Sequence, residues 1–565
     1  MSNKPGYKIS LILLFFLFAG SVLIRGKEVH GAVQISDFIK IYINQAKTSE
    51  SMWIGCEEIH SGQNLFEFYE NRSFKPVWVT SNGVSTCGLE LMNILSDAGL
   101  HGLSKKDYHF ACIEEWVATL EKRSDKNIAH DVLDLAGFDI VMTDAFLVFG
   151  SHLANGKVDP EKIYPQWISS KIKTDVFSGL NKISEHVSVH DVLRELAPPY
   201  SEYWELLSRA KWYQQVENSG GWPLVAEGKL LRYSDLDSRV PDLRRRLEIG
   251  GYIAHGMDFQ DTLYDRKLEK AVRKFQENHG LEADGIIGKN TITQLNISAG
   301  KRREQILINL ERWRWLPRHL GQRYIRVNTA SFSLQAVDKD EIQLDMRVIV
   351  GKDYQITPVF SKQLRYIEFN PYWNVPRDIV RTEILPQVTK NPEYLDLNNY
   401  EIVNGLKDNS PLVDHSEIDW QMIGTGNFPG RVRQTPGPWN ALGQIKFMFP
   451  NKFDVYLHDT PEKKLFQKTY RALSHGCIRL EKPIDLAVFV LQDDLGWNRK
   501  QIEKILRNKQ RKAVGISSTC MIHLLYFTCW IDQQGTIQFR DDIYKRDELL
   551  WEALHRTPDV RGFGR

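Results

Sequence analysis

Asp454-Val455-Tyr456-Leu457-His458 and, fifteen residues further on, Ser474-His475-Gly476-Cys477-Ile478-Arg479-Leu480 decide how this chain is read. The first segment alternates with period two, as a strand does, and alternation sets Asp454, Tyr456 and His458 on one face. The second brings a thiol and a run of small backbone units close behind, with Arg479 alternating with Cys477. A nucleophilic cysteine requires a partner for its proton, backbone N–H groups aimed at the developing oxyanion, and room for a substrate carbonyl. Gly476 leaves the backbone beside the sulfur uncovered, so a substrate can approach closely. These residues point to cysteine acyl-transfer chemistry built on a sheet.

Around this stretch the same period continues. Tyr324-Ile325-Arg326-Val327-Asn328 and Met346-Arg347-Val348-Ile349-Val350-Gly351 alternate like strands, and Tyr366 to Asn370 has the same character. Between Trp373 and Gln434 the chain turns helical (Ile379 to Gln387) and irregular, which predicts an insertion in the sheet, placed as a lid would be. After 508 one strand-like run, His523 to Trp530, precedes a charged helical end. N-terminal to the sheet, Leu243 and Leu247 start one helix that Gly250-Gly251 ends, Leu268, Val272 and Phe275 make a second closed by His279-Gly280, and Thr291 to Leu295 a third. Residues from about 30 to 215 are mostly helical in pattern, including Leu89 to Leu95 and Asp131 to Leu153, and offer no nucleophile with a partner.

Lys4 and Lys8 precede an uncharged apolar run from Ile9 to Ile24, which meets Arg25 and Lys27. Residues 1–28 therefore read as a secretory signal or a short membrane anchor, with export as the expectation. Lys+Arg 73 against Asp+Glu 71 leaves a formal net charge of +2, which gives no reason to expect a nucleic-acid partner. Of the six cysteines, Cys56, Cys87 and Cys112 could hold one disulfide in an oxidising compartment, Cys520 and Cys529 sit in an apolar stretch as packing residues, and Cys477 alone has chemical neighbours. His458, His475, Cys477 and His523 include zinc-ligand types, but no spaced metal motif accompanies them, so no metal or other cofactor is expected.

The spacing from His458 to Ser474-His475-Gly476-Cys477 resembles the signature of the L,D-transpeptidases, with their YkuD-like catalytic domain. "NLERWRWLP" (309–317), "VIVGK" (348–352), "NPYWNVP" (370–376), "PGPWNALGQIKFMFPN" (436–451) and "LSHGCIRL" (473–480) resemble elements of the large YcbB type. "RKFQENHGLEADGIIGKNTITQLN" resembles the three-helix peptidoglycan-binding domain. The resemblance implies a multidomain α+β protein: a signal peptide or anchor over 1–28, a helical scaffold over 29–235, a peptidoglycan-binding-like domain over 236–300, a β-rich catalytic domain over 301–508 with a lid insertion at about 374–433, and a C-terminal extension over 509–565.

It also implies roles. Cys477 is the nucleophile and His458 the base that, as a cationic imidazole, lowers the thiol's pKa. Ser474, His475 and Gly476 shape the loop, and the N–H groups of Gly476 and Cys477 are the oxyanion donors. Arg479, Tyr456 and Trp373 are substrate contacts. The implied reaction joins third residues of peptidoglycan stem peptides through a thioester on Cys477, with loss of D-Ala, and makes the thiol a carbapenem target. A peptidoglycan synthase and a D,D-carboxypeptidase are the implied protein partners. The implied place is the periplasm, with the membrane touched only through the N-terminal segment, which is expected to anchor the chain in the inner membrane. Two alternatives stand beside this reading: an L,D-carboxypeptidase hydrolysing the same stem, and a non-enzymatic cell-wall-binding protein.

Overall fold

The computed structural model describes residues 34–47, 51–55, 57–122, 128–169, 174–185, 187–254, 256, 260–405, 407, 409–418, 420 and 430–556. The described residues fall into two compact units, one drawn from 34–89 and 111–144, the other from 90–110 and 145–556. The first holds helices Ile35–Ala46 and Gly62–Asn71, two short hairpins and a buried carboxylate, Asp139. Asp139 accepts hydrogen bonds from Tyr69 Oη (2.6 Å), Val77 N (2.9 Å) and Trp78 N (2.6 Å). Burial pushes that carboxyl up to about 6, against the pull of those bonds.

The expected inner-membrane anchor is corrected. Among the described residues no helix is long and apolar enough to cross a membrane. Helix α1 (Ile128–Asn155) has 28 residues, but Asp134, Asp139 and Asp144 interrupt its apolar surface. The apolar run from Ile9 to Ile24 lies outside the described residues, as does Cys56 of the expected disulfide.

The second unit is α+β. Helix α2 (Ser201–Asn218) precedes three short helices, α3 (Val240–Ile249), α4 (Arg266–Asn278) and α5 (Lys289–Leu295), which close over Leu243, Leu247, Leu268, Val272, Phe275 and Leu295. The glycine stops fall where the sequence puts them, with Gly251 at φ 76° and Gly280 at φ 68°. Helix α6 (Ala299–Arg314) then packs along α2 and leads into the sheet.

Eleven strands make that sheet. They are β1 (Arg323–Asn328), β2 (Ser333–Asp338), β3 (Glu341–Gly351), β4 (Phe360–Gln363) and β5 (Tyr366–Phe369). After the insertion, whose strands are β6 (Trp373–Asn374), β7 (Tyr400–Val403) and β8 (Arg431–Gln434), come β9 (Ile445–Met448), β10 (Leu457–His458), β11 (Ala472–Ser474) and β12 (Ile478–Leu480). Helices α7 (Pro483–Leu491) and α8 (Arg499–Arg507) follow, then β13 (Lys512–Gly515) and β14 (Met521–Leu525). The pairing order is β13-β5-β9-β10-β12-β3-β2-β1-β14-β4, with β11 beside β3. Strands β4 and β5 stand near opposite ends of that order, yet only Leu364 and Arg365 separate them in the chain, so the sheet is curled on itself.

Register explains the sheet's two faces. Ile367, Phe447, Leu457 and Ile478 are Cα partners in one row across β5, β9, β10 and β12, and all four are fully buried in the core. The next row is Glu368, Lys446, His458 and Arg479, on the other face. A slip of one residue would exchange the two rows, so burial of the apolar row fixes the position of the polar one.

The tail departs from the single strand expected at His523 to Trp530. Strand β14 sits inside the sheet, parallel to β1 and antiparallel to β4. Tyr526 to Thr528 interrupt the run, and β15 (Cys529–Ile531) then pairs with β16 (Ile537–Phe539) as a hairpin ahead of helix α9 (Asp547–His555).

The insertion has its own three-stranded sheet, β6-β8-β7, and its own core of Val380, Ile384, Val388, Leu395, Ile402 and Val432. Its helix differs from the continuous one expected: Arg377–Ile379 opens into a π turn, Val380–Ile384, before Leu385–Lys390. Pro386, which has no N–H to donate, lies just past the widened turn.

Candidate active site

Cys477 stands one residue before β12, half-buried, with its Sγ 4.0 Å from the Asp454 carbonyl. Ile478 N donates to the Tyr456 carbonyl (3.1 Å), which sets Tyr456 beside Cys477 on the shared face. The Tyr456 side chain lies beside the thiol, and each group acts on the other's protonation. Burial pushes the Cys477 thiol up, while Tyr456, Lys446 and Arg479 oppose the shift. Burial, with Cys477 beside it, holds the Tyr456 hydroxyl well above its usual range, so it stays a donor. Tyr456, expected as a substrate contact, stands beside the sulfur.

His458 lies one alternation further along β10, buried, with its ring centroid 5.7 Å from that of Tyr456. Its Nδ1 donates to the Asp459 carbonyl (2.5 Å), so in the neutral ring Nε2 carries the lone pair. Burial first, then the Arg479 and Lys446 charges, lower its pKa to about 3, and the Asp459 and Leu442 carbonyls offset this only in part. Burial and two neighbouring cations thus favour the neutral ring over the cationic imidazole that the family resemblance implies. Its backbone anchor is firm, because Asp459 accepts from Gln444 N (2.9 Å), Thr460 N (2.7 Å) and Lys463 Nζ (2.5 Å).

Lys446 completes the row. Its Nζ is 3.9 Å from the Tyr456 ring centroid, and burial lowers its pKa. Sequence reasoning passed over it, although the strand alternation that selects His458 would have selected a lysine at the paired position of β9. Arg479 is ion-paired to Glu462, and its buried Nε has no partner among the described residues.

The loop before Cys477 is held by its own residues. Ser474 Oγ donates to the Cys477 carbonyl (2.6 Å) and accepts from Gly476 N (3.1 Å). That second bond occupies one of the two expected oxyanion donors and leaves the Cys477 N–H. Gly476 has φ 112°, a conformation that L side chains rarely adopt. Its carbonyl accepts from Thr357 Oγ1 (2.8 Å). His475 points elsewhere: its Nε2 meets Oε1 of Glu383, a residue of the insertion's π turn, at 2.8 Å. Trp373, in β6, packs on Tyr400 with ring centroids 6.2 Å apart, so its recorded ring partner lies within the insertion. His523, on β14, bonds Ser361 Oγ and the Leu320 carbonyl, both at 2.8 Å. Among the described residues no group of three His, Cys, Asp or Glu side chains could hold a metal ion.

The "NALGQIKF" segment gains a physical reason. Asn440, fully buried, donates to the carbonyls of Pro371, Gln434 and Thr435 and accepts from Leu442 N (2.8 Å). Gly443, at φ 59°, leaves room for Asp459, whose Cγ would lie 2.4 Å from a Cβ there.

The L,D-transpeptidase catalytic domain family, YkuD, matches residues 322–502, the Scaffold domain family matches 63–209, and the family described as "Putative peptidoglycan binding domain" matches 237–295. A Haemophilus influenzae protein named "Putative L,D-transpeptidase" is 36% identical over 260 residues, 45% of this chain and 51% of that protein. The Mycobacterium tuberculosis N-acetylmuramoyl-L-alanine amidase CwlM is 34% identical over 80 residues, 13% of this chain and 20% of the amidase. This chain thus spans about half the length of the first of these relatives and a fifth of the second. A crystal structure of an L,D-transpeptidase fragment from Xylanimonas cellulosilytica covers 53% of this chain and 98% of its own at 14% identity, with a TM-score of 0.18. Residues 322–502 are an L,D-transpeptidase catalytic domain of the YkuD family, carried in one chain with a scaffold domain and a peptidoglycan-binding domain.

Proposed function

We propose that this chain is a peptidoglycan L,D-transpeptidase acting through Cys477. The observation that carries the reading is the thiol's setting: Tyr456 beside Cys477, Lys446 against the Tyr456 ring, and His458 and Arg479 in register on the same face. Neutral His458 takes the Cys477 proton as the sulfur attacks the carbonyl of the third residue of a donor tetrapeptide stem. The Cys477 N–H meets the oxyanion. The C–N bond to D-Ala breaks, D-Ala leaves with the proton returned by the imidazole, and a thioester remains. The side-chain amine of the third residue of an acceptor stem then attacks, an amide forms, and the thiol is restored. Arg479, whose Nε has no partner among the described residues, receives a stem carboxylate. Trp373 is the substrate contact contributed by the insertion. The peptidoglycan-binding domain holds the wall polymer near the site. A D,D-carboxypeptidase reaction supplies the tetrapeptide donor, and a peptidoglycan synthase is the working partner.

Incubation of the purified chain with disaccharide-tetrapeptide as sole substrate tests this by mass spectrometry. The expected product is a dimer lacking one D-Ala and joined between third residues, absent with Cys477→Ala. Tripeptide monomer alone would make the chain an L,D-carboxypeptidase, and no turnover would reduce it to a wall-binding protein.

A further inference from the structure

The nucleophile loop rests on a residue outside the matched catalytic domain. Tyr544, in the segment between β16 and α9, is buried, and its Oη donates to the Gly351 carbonyl (2.7 Å) while accepting from Thr357 N (3.4 Å). Gly351 N donates to Thr357 Oγ1 (2.9 Å), and Thr357 Oγ1 donates to the Gly476 carbonyl (2.8 Å). Gly351 itself is pressed against the loop, since a Cβ there would stand 3.0 Å from Gly476 Cα and 2.0 Å from the Gln355 carbonyl oxygen. One hydroxyl therefore ties the end of β3 to the segment that grips Gly476.

The consequence follows from peptide geometry. The Gly476 carbonyl and the Cys477 N–H belong to one planar trans unit and point in opposite directions. Whatever fixes the carbonyl fixes the N–H. Tyr544 is itself firmly held: it stacks on Tyr526 at 5.4 Å and 18°, its N–H donates to Tyr526 Oη (2.9 Å), and Tyr526 Oη donates to Asp542 Oδ1 (2.5 Å). Burial keeps its hydroxyl protonated, with a pKa of about 12, so it remains a donor through the neutral range.

We propose that Tyr544 is a positioning residue for acyl transfer: through Gly351 and Thr357 it aims the Cys477 N–H at the oxyanion. This rests on the reading of Cys477 as nucleophile, and it makes the C-terminal extension part of the catalytic apparatus.

The test compares two reactions of Cys477 in the full chain. Acylation by a carbapenem passes through an oxyanion, whereas alkylation by iodoacetamide displaces iodide directly and needs no oxyanion donor. In Tyr544→Phe the acylation rate, followed as the mass adduct on Cys477, should fall about tenfold or more, while alkylation stays within about twofold. Thr357→Val should reproduce the split and Thr357→Ser should restore acylation, which keeps the test sharp if Tyr544→Phe folds poorly. Unchanged acylation in Tyr544→Phe, or acylation and alkylation falling together, would overturn the proposal. A wild-type chain alkylated at Cys477 but never acylated would overturn the nucleophile reading instead, and the positioning role with it.

Discussion

Cys477 is shielded enough for burial to push its thiol up, and three groups oppose that push, Tyr456, Lys446 and Arg479. Arg479 is already ion-paired to Glu462, so its charge is partly spent on a carboxylate. Lys446 stands against the Tyr456 ring with no ion-pair partner recorded among the described residues, so its charge acts on the thiol side of the row. Lys446→Met should therefore raise the Cys477 pKa further. The pH midpoint of Cys477 alkylation should move upward, and Lys446→Arg should bring it back; an unmoved midpoint would remove Lys446 from the site's electrostatics. His458→Ala should act differently. A neutral base that accepts a proton contributes about 10²–10⁴-fold in rate. Carbapenem acylation near neutral pH should fall by that order, and the loss should shrink at high pH, where the thiolate forms without a base. A loss independent of pH would reassign His458 to a packing role.

At the scale of elements, the loops that carry Asp459 and Gly443 show why a strand-end histidine can be placed so firmly. Gly443→Ala would set a Cβ against Asp459 at a positive φ, which costs about 1–3 kcal/mol in backbone strain alone. Its expected signature is a lower thermal midpoint together with slower acylation, because Asp459 supplies the carbonyl that orients His458. The ion pair between Glu383 and His475 is half-exposed, and such pairs contribute about 0–1 kcal/mol. Glu383→Gln should leave the thermal midpoint nearly unchanged but speed amide exchange over 380–390, where the π turn already weakens the helix. What the sequence revealed follows the same division. Period-two alternation grouped Tyr456 with His458 and Cys477 with Arg479, and the pairing of buried Leu457 with Ile478 then sets both groups on one face. Partners brought in from other elements were hidden, since no local pattern announces that Thr357 will grip Gly476, or Glu383 meet His475. The tail was misread for the same reason: β14 is an inner strand only because β1 and β4 flank it.

Across the second unit, burial favours the neutral form of four histidine rings, His101, His279, His458 and His523. His101 meets Tyr203 Oη (3.2 Å), His458 sits in the row of Glu368, Lys446 and Arg479, and His523 links β14 to Ser361 and Leu320. His279 stacks between Phe275 (3.9 Å) and Phe539 (5.4 Å), joining the end of α4 to the β15–β16 hairpin. Burial lowers all four, His101 and His458 to about 3 and His523 to about 4, with His279 also well below its usual range. In the unfolded chain each returns to about 6.5, so between that value and about 3 the unfolded state binds more protons. The stability these rings contribute is thus complete above about pH 6.5 and is lost as the pH falls toward the folded values. In the first unit Asp139 has the opposite sign: its folded pKa is raised to about 6, so its contribution is complete below the unfolded carboxyl value and is lost as pH rises through about 6. Calorimetry from pH 7 to pH 4 should therefore show the transition of the second unit moving to lower temperature. In His279→Phe, which keeps a ring in the stack but cannot be protonated, that fall should be shallower. An equal fall in wild type and variant would mean that acid sensitivity arises elsewhere than at the joint between the three-helix domain and the C-terminal hairpin.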